Sequence, residues 1–351
     1  MLSRSKPYIS VIVPVYNGGQ MLRRCLDALL ESDFPTFEVT VVDDCSTDGS
    51  VSMSLARGVK VLRMAARSGP AAARNHGARY ARGNILLFID ADVVVRRDTL
   101  ARIAAHLSAR PDAAAVFGSY DDAPVETNFV SQYKNLQHHF VHQSSSSRAE
   151  TFWAGCGAVR REAFEAVGGF DSQRYARPSV EDIELGYRLR RKAYGIILDR
   201  EIQVGHLKRW TFFSLLRTDI FNRALLWSQL ILKDGGMIND LNLRASDRLS
   251  AALTGLAVLL ITFSYFFPPL LIAALAALAS VFLLNLRCYN FYRARRGLWF
   301  ANGAFAMLTL YYFYSGTVFA LCYGAHVLAR AGGDARKRRQ QATASERIKG
   351  A

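Results

Sequence analysis

The stretch Ile85-Leu-Leu-Phe-Ile-Asp-Ala-Asp92 is central to the fold of the first half of the chain. Its apolar run suits a buried strand, and aspartates follow where that strand would end. Helical patterns separate it from other apolar runs, as in Met21–Leu30, where apolar residues recur at three- and four-residue spacing. Those runs are Ile9–Val15, Phe37–Asp43, Val59–Leu62 and Ala113–Phe117. The alternation predicts an α/β fold with a mainly parallel sheet and helices on both faces.

Composition and charge narrow the class of protein. The chain has 351 residues, of which 51% are hydrophobic and 21% charged. This composition excludes a disordered chain, a collagen-like chain and a small disulfide scaffold, and the length predicts a second element beside the α/β domain. The formal net charge of +15 predicts an anionic partner, which could be a membrane surface, a nucleic acid or a phosphorylated substrate. The 5 cysteines lack metal-ligand spacing and are typical of a reducing compartment.

The C-terminal part contains two long runs without Asp, Glu, Lys or Arg, between Arg248 and Arg287 and from Gly297 to Ala329. A bilayer core requires about 20 apolar helical residues, and uncharged segments of that length are rare in soluble domains. The runs therefore predict a helical membrane region. Its expected transmembrane helices are 249–267, 270–286 and 299–328.

The flanking segments predict how the chain meets the membrane. Aromatic and basic residues interleave in 207–248, which indicates amphipathic helices lying in the interface. The apolar run near the N-terminus is too short for a signal sequence, so we expect residues 1–206 to form a cytoplasmic domain. The prediction is a multi-pass protein of the inner (plasma) membrane with a basic tail at 330–351. The number of spans in 297–329 and the side of the tail stay open, because one span there would export the basic tail.

Acidic residues follow two of the predicted strands. Asp43 and Asp44 end one, and Asp90 and Asp92 follow another. Ligands of such sheets bind outside the carboxyl ends of the strands. Two carboxylates separated by one residue can reach one Mg²⁺ or Mn²⁺, which completes its coordination with water and substrate phosphates. The pattern points to a diphosphate substrate, although Asp-x-Asp alone is commonly a solvated turn.

Six motifs occur in order within residues 8–210. They are Ser10-Val-Ile-Val-Pro-Val-Tyr-Asn17, Val41-Val-Asp-Asp-Cys-Ser-Thr-Asp48, Gly69-Pro-Ala-Ala-Ala-Arg-Asn75, Leu87-Phe-Ile-Asp-Ala-Asp92, Gly155-Cys-Gly-Ala-Val-Arg160 and Glu181-Asp182. Together they resemble the inverting family 2 glycosyltransferases with the GT-A fold. The resemblance implies a Rossmann-like mixed sheet with helices on both faces, followed by the helical membrane region. It also implies metal-dependent sugar transfer from a nucleotide-diphosphate sugar, most commonly a UDP sugar.

The resemblance implies a donor site and a metal site. Asp44 would accept a hydrogen bond from the nucleotide base, with Asp43 nearby. The residues placed on the donor are Pro14, Tyr16, Asp43, Asp44, Arg74 and Asp90. Asp90 and Asp92 correspond to the metal motif, with Mg²⁺ or Mn²⁺ as cofactor. His206 is a candidate third ligand, although a lone histidine is more often structural.

The resemblance also implies a catalytic base and an acceptor site. Asp182 matches the base that takes the proton from the acceptor hydroxyl. Simple charge complementation of a helix N-terminus is the alternative for Glu181-Asp182. Small residues would leave room for the acceptor, and an indole would stack on it. The acceptor residues expected are Trp153, Gly155, Cys156, Gly157, Glu181, Arg209 and Trp210.

Other functions stay open at the level of sequence. Processive polysaccharide synthases carry Gln-x-x-Arg-Trp, whereas this chain has His206-Leu-Lys-Arg-Trp210, so a single transfer to a lipid or polyprenyl-linked acceptor at the cytosolic membrane face is favoured over polymerisation. A basic membrane-associated binding or scaffolding protein is the alternative from another class. We expect no nucleic-acid partner, because anionic lipid accounts for the charge. The oligomeric state is open. The polar stretch from Ser119 to Glu150 is expected to form a long mobile loop.

Overall fold

A computed structural model describes residues 8–234 and 238–349, with side chains up to residue 331. The chain divides into two compact units. The described part of the first unit comprises 8–216, 238–244 and 287–304, and that of the second comprises 217–234, 245–286 and the residues from 305 onward. The predicted basic tail at 330–351 lies almost wholly outside the residues whose side chains are described.

Within the described residues, the first unit is built on an eight-stranded sheet. The strands are β1 (Ile9–Val15), β2 (Phe37–Asp43), β3 (Lys60–Arg63), β4 (Ile85–Ile89), β5 (Val93–Val94), β6 (Ala113–Tyr120), β7 (Cys156–Arg160) and β8 (Gly195–His206). Their order is β3-β2-β1-β4-β7-β6-β8-β5. Strands β3, β2, β1 and β4 run parallel, whereas β7 is antiparallel to both β4 and β6. The sheet is therefore mixed, as a GT-A fold requires.

Helices cover both faces of this sheet, which confirms the predicted layering. The helices are α1 (Gly19–Leu30), α2 (Ser50–Ala56), α3 (Gly69–Tyr80), α4 (Thr99–Ala109), α5 (Phe129–Ser144), α6 (Arg161–Ala166), α7 (Glu181–Arg191) and α8 (Phe212–Arg217). Side chains of β1 alternate between two cores, with Val11 and Val13 in one and Ile12 in the other. α1 and α4 bury their apolar faces in the first core, and α3 and α7 bury theirs in the second.

Helix α5 occupies half of the segment between Ser119 and Glu150 that was expected to be a loop. Its buried face is polar, which is why hydrophobic periodicity does not reveal it. The Asn135 amide donates to the Asp121 carbonyl at 2.7 Å, and His139 Nδ1 lies 2.8 Å from the Tyr120 carbonyl. Backbone carbonyls thus satisfy groups that would otherwise make burial of this face unfavourable.

The second unit is helical. It contains a π-helical segment (Thr218–Ala224), α9 (Leu225–Asp234), α10 (Ala245–Phe263), α11 (Leu270–Leu284) and most of α12 (Leu286–Lys349), which kinks at Gly297. Among the described residues, two stretches are long and apolar enough to cross a membrane, Ala245–Phe263 and Leu286–Ala331, whereas α11 is shorter, with 15 residues. These helices are weak support for membrane association, and the multi-pass placement stays a prediction.

A buried polar cluster ties α10, α11 and α12 together. The Tyr312 hydroxyl lies 2.8 Å from both Asp247 Oδ1 and Asn285 Oδ1. The Asn285 amide in turn donates to Ser250 Oγ at 3.0 Å. Such interhelical hydrogen bonds are a usual means of joining apolar helices when no hydrophobic force drives them together.

Candidate active site

Asp90 and Asp92 lie in the turn after β4, at the carboxyl edge of the sheet. The Asp90 amide donates to the Gly155 carbonyl at 3.2 Å, and the Val93 amide donates to the Asp90 carbonyl at 3.0 Å. Strand β5 then pairs antiparallel with the end of β8, and Val93 faces His206. This pairing brings His206 Nε2 to 3.7 Å from Asp92 Oδ2. Two residues separated by more than a hundred positions therefore meet through a two-residue strand.

Asp92 and His206 fit two ligands of one divalent cation. Two ligand atoms, each about 2.1 Å from a cation, lie at most about 4.2 Å apart, and the 3.7 Å separation meets this limit. Burial raises the pKa of Asp92, but His206 and Lys208 more than offset it and hold that pKa below its usual value. In the part of the chain that the structure describes, no cluster of three or more His, Cys, Asp or Glu side chains is arranged to hold a metal ion. Further ligands would have to come from substrate or water.

Arg74 joins two carboxylates beneath the site. Its guanidinium lies 2.7 Å from Asp90 Oδ1 and 2.8 Å from Glu181 Oε1, and the Arg74 side chain is 5% exposed. Burial lowers the pKa of Arg74, but the two carboxylates more than compensate and raise it above the usual value. The second Glu181 oxygen accepts from the Ser179 amide at 2.8 Å. Glu181, expected at the acceptor, is therefore buried and anchors Arg74 instead.

Asp182 begins α7 beside the segment that precedes β7. Its Oδ2 accepts a hydrogen bond from the Ala154 amide at 3.1 Å, and its Oδ1 accepts from the Ile183 amide at 2.8 Å. Burial and the neighbouring Glu181 raise the pKa of Asp182 to about 7. A carboxylate with a pKa near neutral suits a general base at physiological pH.

Gly186 allows α7 to approach this segment closely. A Cβ at Gly186 would lie 2.4 Å from the Phe152 amide nitrogen, which no side chain could tolerate without displacing the backbone. The close crossing of helix and backbone is what places Asp182 next to Ala154. The glycine therefore positions the candidate base, although sequence reasoning gave it no role.

The small residues of the Gly155–Gly157 motif accommodate the protein's own aromatic rings. A Cβ at Gly155 would lie 2.4 Å from the Trp153 ring, and one at Gly157 would lie 2.6 Å from the Phe152 ring. Cys156 is fully buried in the core below β4, and burial raises its pKa to about 12. The expectation that Cys156 contacts the acceptor is therefore wrong, because its side chain does not reach an open surface. Trp153 is half-buried.

Tyr120 links the two sides of the site, and sequence reasoning did not identify it. Its ring stacks on His206 at 4.0 Å and 13°, and it meets Trp153 edge to face at 4.9 Å and 84°. Continuous contacts thus run from Asp92 through His206, Tyr120 and Trp153 to the backbone that holds Asp182. The sequence feature that could have identified Tyr120 is its position at the end of a strand, β6.

The two aspartates at the end of β2 have different environments. Asp44 accepts from the amides of Ser68 at 2.7 Å and Gly69 at 2.8 Å, so both of its oxygens hold a loop. Asp43 Oδ1 also accepts a backbone amide, but Asp43 Oδ2 is buried without a hydrogen-bond partner. Its nearest cation is Arg63, whose Nε lies 3.7 Å away. Asp43 Oδ2 is thus the one oxygen of this acidic pair that accepts no hydrogen bond from the described residues, whereas each Asp44 oxygen accepts one.

The other residues expected at the nucleotide base lie at the end of β1. Pro14 is buried within the strand, whereas Tyr16 follows it and is 40% exposed. The Arg67 guanidinium lies 3.7 Å from the centre of the Tyr16 ring. This stacked pair forms part of the exposed surface next to Asp43.

Trp210 and Arg209 follow β8 and pack against the start of α5. Trp210 is 3% exposed. Its amide donates to Ser131 Oγ at 2.7 Å, and its carbonyl accepts from Asn128 at 2.7 Å. Arg209 is exposed, with its Nε 3.9 Å from Glu126. Burial of the indole does not support the expected contact between Trp210 and an acceptor.

The sequence was compared with known protein families and relatives. Residues 10–168 match the family model described as Glycosyl transferase family 2. The chain is 32% identical over 117 residues to the glycosyltransferase GlyG of Streptococcus pneumoniae, which is 32% of this chain and 38% of that protein. It is 38% identical over 105 residues to the poly(ribitol-phosphate) beta-N-acetylglucosaminyltransferase TarS of Staphylococcus aureus, covering 28% of this chain and 18% of TarS. The matches thus span well under half the length of these relatives.

Solved structures show the same fold. The mannosyltransferase PcManGT from Pyrobaculum calidifontis, in complex with GDP-Man and Mn²⁺, superposes with a TM-score of 0.59 at 23% identity, over 89% of this chain and 86% of that one. At this identity the likeness establishes the fold, which is GT-A-like, and nothing finer.

Replacing Arg74 tests the buried ion pairs. We expect Arg74→Met to lower the free energy of unfolding by about 3–5 kcal/mol, because Asp90 and Glu181 lose their shared cation. The pKa of each carboxyl rises in the folded variant, so its stability deficit should shrink as pH falls and protonation removes the charges. Thermal unfolding of the purified protein between pH 5 and 8 measures both effects. Arg74→Met/Glu181→Gln should recover part of the loss, and an unchanged melting temperature in Arg74→Met would contradict this role.

Proposed function

Because this chain carries a glycosyltransferase family 2 domain, we propose that it is a metal-dependent, inverting glycosyltransferase. It transfers a sugar from a nucleotide-diphosphate sugar, with a UDP sugar as the first donor to test, to a lipid or polyprenyl-linked acceptor at the cytosolic face of a membrane. The observation that carries the proposal is the line of contacts joining Asp92 and His206 to the segment that holds Asp182. It places candidate metal ligands and a candidate base on two sides of one site.

The nucleotide base is proposed to bind at the ends of β1 and β2. Asp43 and Asp44 are the candidate acceptors for a base N–H, since Asp43 Oδ2 accepts no hydrogen bond from the described residues and each Asp44 oxygen accepts one amide and can accept a second donor. The exposed Tyr16 ring, covered by Arg67, offers a stacking surface. Asp90, one oxygen of which is held by Arg74, is the residue proposed to meet the ribose.

Asp92 and His206 are the residues that would hold Mn²⁺ or Mg²⁺. A cation there would neutralise charge that develops on the departing diphosphate. The related mannosyltransferase PcManGT is described in complex with Mn²⁺ and GDP-Man, which supports testing manganese first. An imidazole ligand also suits Mn²⁺ better than Mg²⁺, which prefers oxygen.

Asp182 is the proposed general base. Its carboxylate takes the proton of the acceptor hydroxyl while the hydroxyl oxygen forms a bond to the anomeric carbon. The bond from that carbon to the diphosphate oxygen breaks, and the nucleoside diphosphate leaves with the electron pair. Since the oxygen attacks from the face opposite the leaving group, one displacement inverts the configuration. The Ala154 and Ile183 amides hold both carboxylate oxygens, which fixes the direction of the base.

The acceptor assignment draws on the rest of the chain. Ala245–Phe263 and Leu286–Ala331 are long and apolar enough to span a bilayer. The exposed residues Arg293, Arg295 and Arg296 lie within the second stretch, just before its kink at Gly297, where anionic headgroups would attract them. An enzyme held at a membrane in this way meets lipid-linked acceptors at high local concentration.

Product analysis tests the proposed function. The purified full-length protein is incubated with membranes and radiolabelled UDP-N-acetylglucosamine, UDP-glucose or GDP-mannose in the presence of Mn²⁺. We expect one labelled sugar on an organic-extractable product. A long water-soluble polymer would instead indicate a processive synthase, and neither hydrolysis nor transfer of any of the three donors would contradict the proposal.

Asp182→Asn tests the base. We expect kcat to fall by about 10²–10⁴-fold with donor binding retained, because an amide cannot take the proton. In the wild type, kcat/KM should rise with pH and level off above about pH 7, since the deprotonated form of Asp182 is active. Asp33→Asn, at a side chain that is 63% exposed, is the matched control and should behave like the wild type. Normal transfer by Asp182→Asn would show the assignment to be wrong.

Asp92→Ala and His206→Ala test the metal ligands. In the presence of Mn²⁺, both should weaken nucleotide-sugar binding by about tenfold or more, which corresponds to about 1.4 kcal/mol. In EDTA the variants and the wild type should bind alike, because the metal contribution is absent from all of them. Titration calorimetry measures both conditions, with His76→Ala as the histidine control. If His206→Ala keeps full metal dependence, His206 is not a ligand.

A further inference from the structure

We propose that the acceptor presents a sugar ring that stacks on Trp153 and offers a neutral hydroxyl, rather than a phosphate oxygen, to Asp182. Tyr120 and His138 act as positioning residues that hold the indole. The inference rests on the proposed function and specifies the chemistry of its acceptor. It predicts an acceptor lipid that already carries a sugar, in contrast to a polyprenyl monophosphate without a sugar.

The indole and the base belong to one short segment. Trp153 directly precedes Ala154, whose amide donates to Asp182 Oδ2 at 3.1 Å. Trp153 is half-buried, so part of its side chain is accessible to solvent. Aromatic faces bind the apolar face of a sugar and leave its hydroxyls free to hydrogen-bond. A ring lying on this indole would therefore have hydroxyls close to the Asp182 carboxylate.

Three rings and a glycine hold the indole in place. Tyr120 meets it at 4.9 Å and 84°, His138 at 4.8 Å and 53°, and His142 at 5.5 Å and 89°. The two histidines are four positions apart on α5 and therefore share one face of the helix. Gly155 leaves the space that the ring occupies. A platform fixed before binding loses little conformational entropy when the acceptor arrives.

The bracing rings suit a neutral platform. Burial lowers the pKa of His142 to about 4, so this imidazole is uncharged at neutral pH. Its Nδ1 lies 3.0 Å from the Gly118 carbonyl, which fixes its orientation. His142 therefore packs against the Trp153 indole as an uncharged ring.

The base itself distinguishes the two classes of acceptor. A phosphate monoester has a second pKa of about 6 and is mostly a dianion at neutral pH, so it has no proton for a base to remove. A sugar hydroxyl keeps its proton until a base takes it during attack. A base positioned by two backbone amides is therefore useful for a hydroxyl and superfluous for a phosphate.

The charges around Asp182 favour the same acceptor. Glu181 is its neighbour, and the pair presents two carboxyl groups at the start of α7. The cation that acts on Asp182 is Arg74, and its guanidinium is already bonded to Asp90 and Glu181 at 2.7 Å and 2.8 Å. A phosphate at the reacting position would lie beside these two carboxyl groups, and the repulsion between like charges costs free energy.

An acceptor panel tests the inference with the purified full-length protein and the donor that it hydrolyses or transfers. Octyl glycosides of glucose, galactose, mannose and N-acetylglucosamine are compared with a polyprenyl monophosphate at equal concentration. We expect transfer to at least one glycoside and none to the phosphate. In Trp153→Ala the acceptor KM should rise about tenfold while the donor KM changes less than about twofold, because only acceptor stacking is lost.

The variants separate positioning from folding. Tyr120→Phe should keep the acceptor KM of the wild type, whereas Tyr120→Ala and His138→Ala should raise it several-fold without a matching change in donor KM. Trp299→Ala, at an indole that is 87% exposed, is the matched control and should leave both constants unchanged. If Trp153→Ala does not fold, comparing the acceptor KM of Tyr120→Phe with that of Tyr120→Ala still tests whether the indole binds the acceptor.

Preferred transfer to the polyprenyl monophosphate would overturn the inference and leave the proposed function intact. An acceptor KM in Trp153→Ala equal to that of the wild type would do the same. Failure to hydrolyse or transfer any nucleotide sugar would contradict the proposed function, and this inference with it. Two results together would support both the proposed function and this inference. The first is transfer to a glycoside with a raised acceptor KM in Trp153→Ala, and the second is an acceptor KM that is raised in Tyr120→Ala and normal in Tyr120→Phe.

Discussion

The candidate site depends on one buried cation. Arg74 comes from a helix on one face of the sheet and binds Asp90 at the end of β4 and Glu181 at the start of α7. Removing a guanidinium from water is costly unless its hydrogen bonds are satisfied by opposite charges, and the two carboxylates do this at close range. The interaction fixes the strand end that carries the acidic pair relative to the helix that carries Asp182. The acidic pair after β4 and Asp182 are thereby held at a defined separation.

Two further constraints complete the site around this ion pair. The short pairing of β5 with β8 returns the chain to the sheet edge and places His206 beside Asp92. Gly186 lets α7 cross the backbone before β7, so that Asp182 meets Ala154. Between these positions the Tyr120 ring stacks on His206 and meets Trp153 edge to face. Aromatic side chains thus connect the end of β8 with the segment before β7.

Sequence reasoning was most successful where chemistry and local pattern coincide. The strands of the α/β domain follow from apolar runs, and the acidic pairs follow from their position at strand ends. It failed for α5, because that helix buries histidine and amide side chains whose partners are carbonyls of distant residues. It also assigned Cys156 to the acceptor from its motif, whereas the pairing of β7 with β4 turns that side chain into the core.

The sequence by itself determined the fold class, the match of residues 10–168 to the glycosyltransferase family 2 model, the apolar helical region and the set of polar residues near the carboxyl edge of the sheet. The tertiary structure decided which of these residues are held by other parts of the chain and which keep a free polar atom. It committed Asp44 to a loop and Glu181 to Arg74, left an oxygen of Asp43 without a hydrogen-bond partner, and brought in Tyr120 and His138. The physical reason is that a hydrogen-bonding group has a limited number of partners, and only the packed chain shows which are already used. Neighbouring residues of one motif can therefore have different partners in the folded chain.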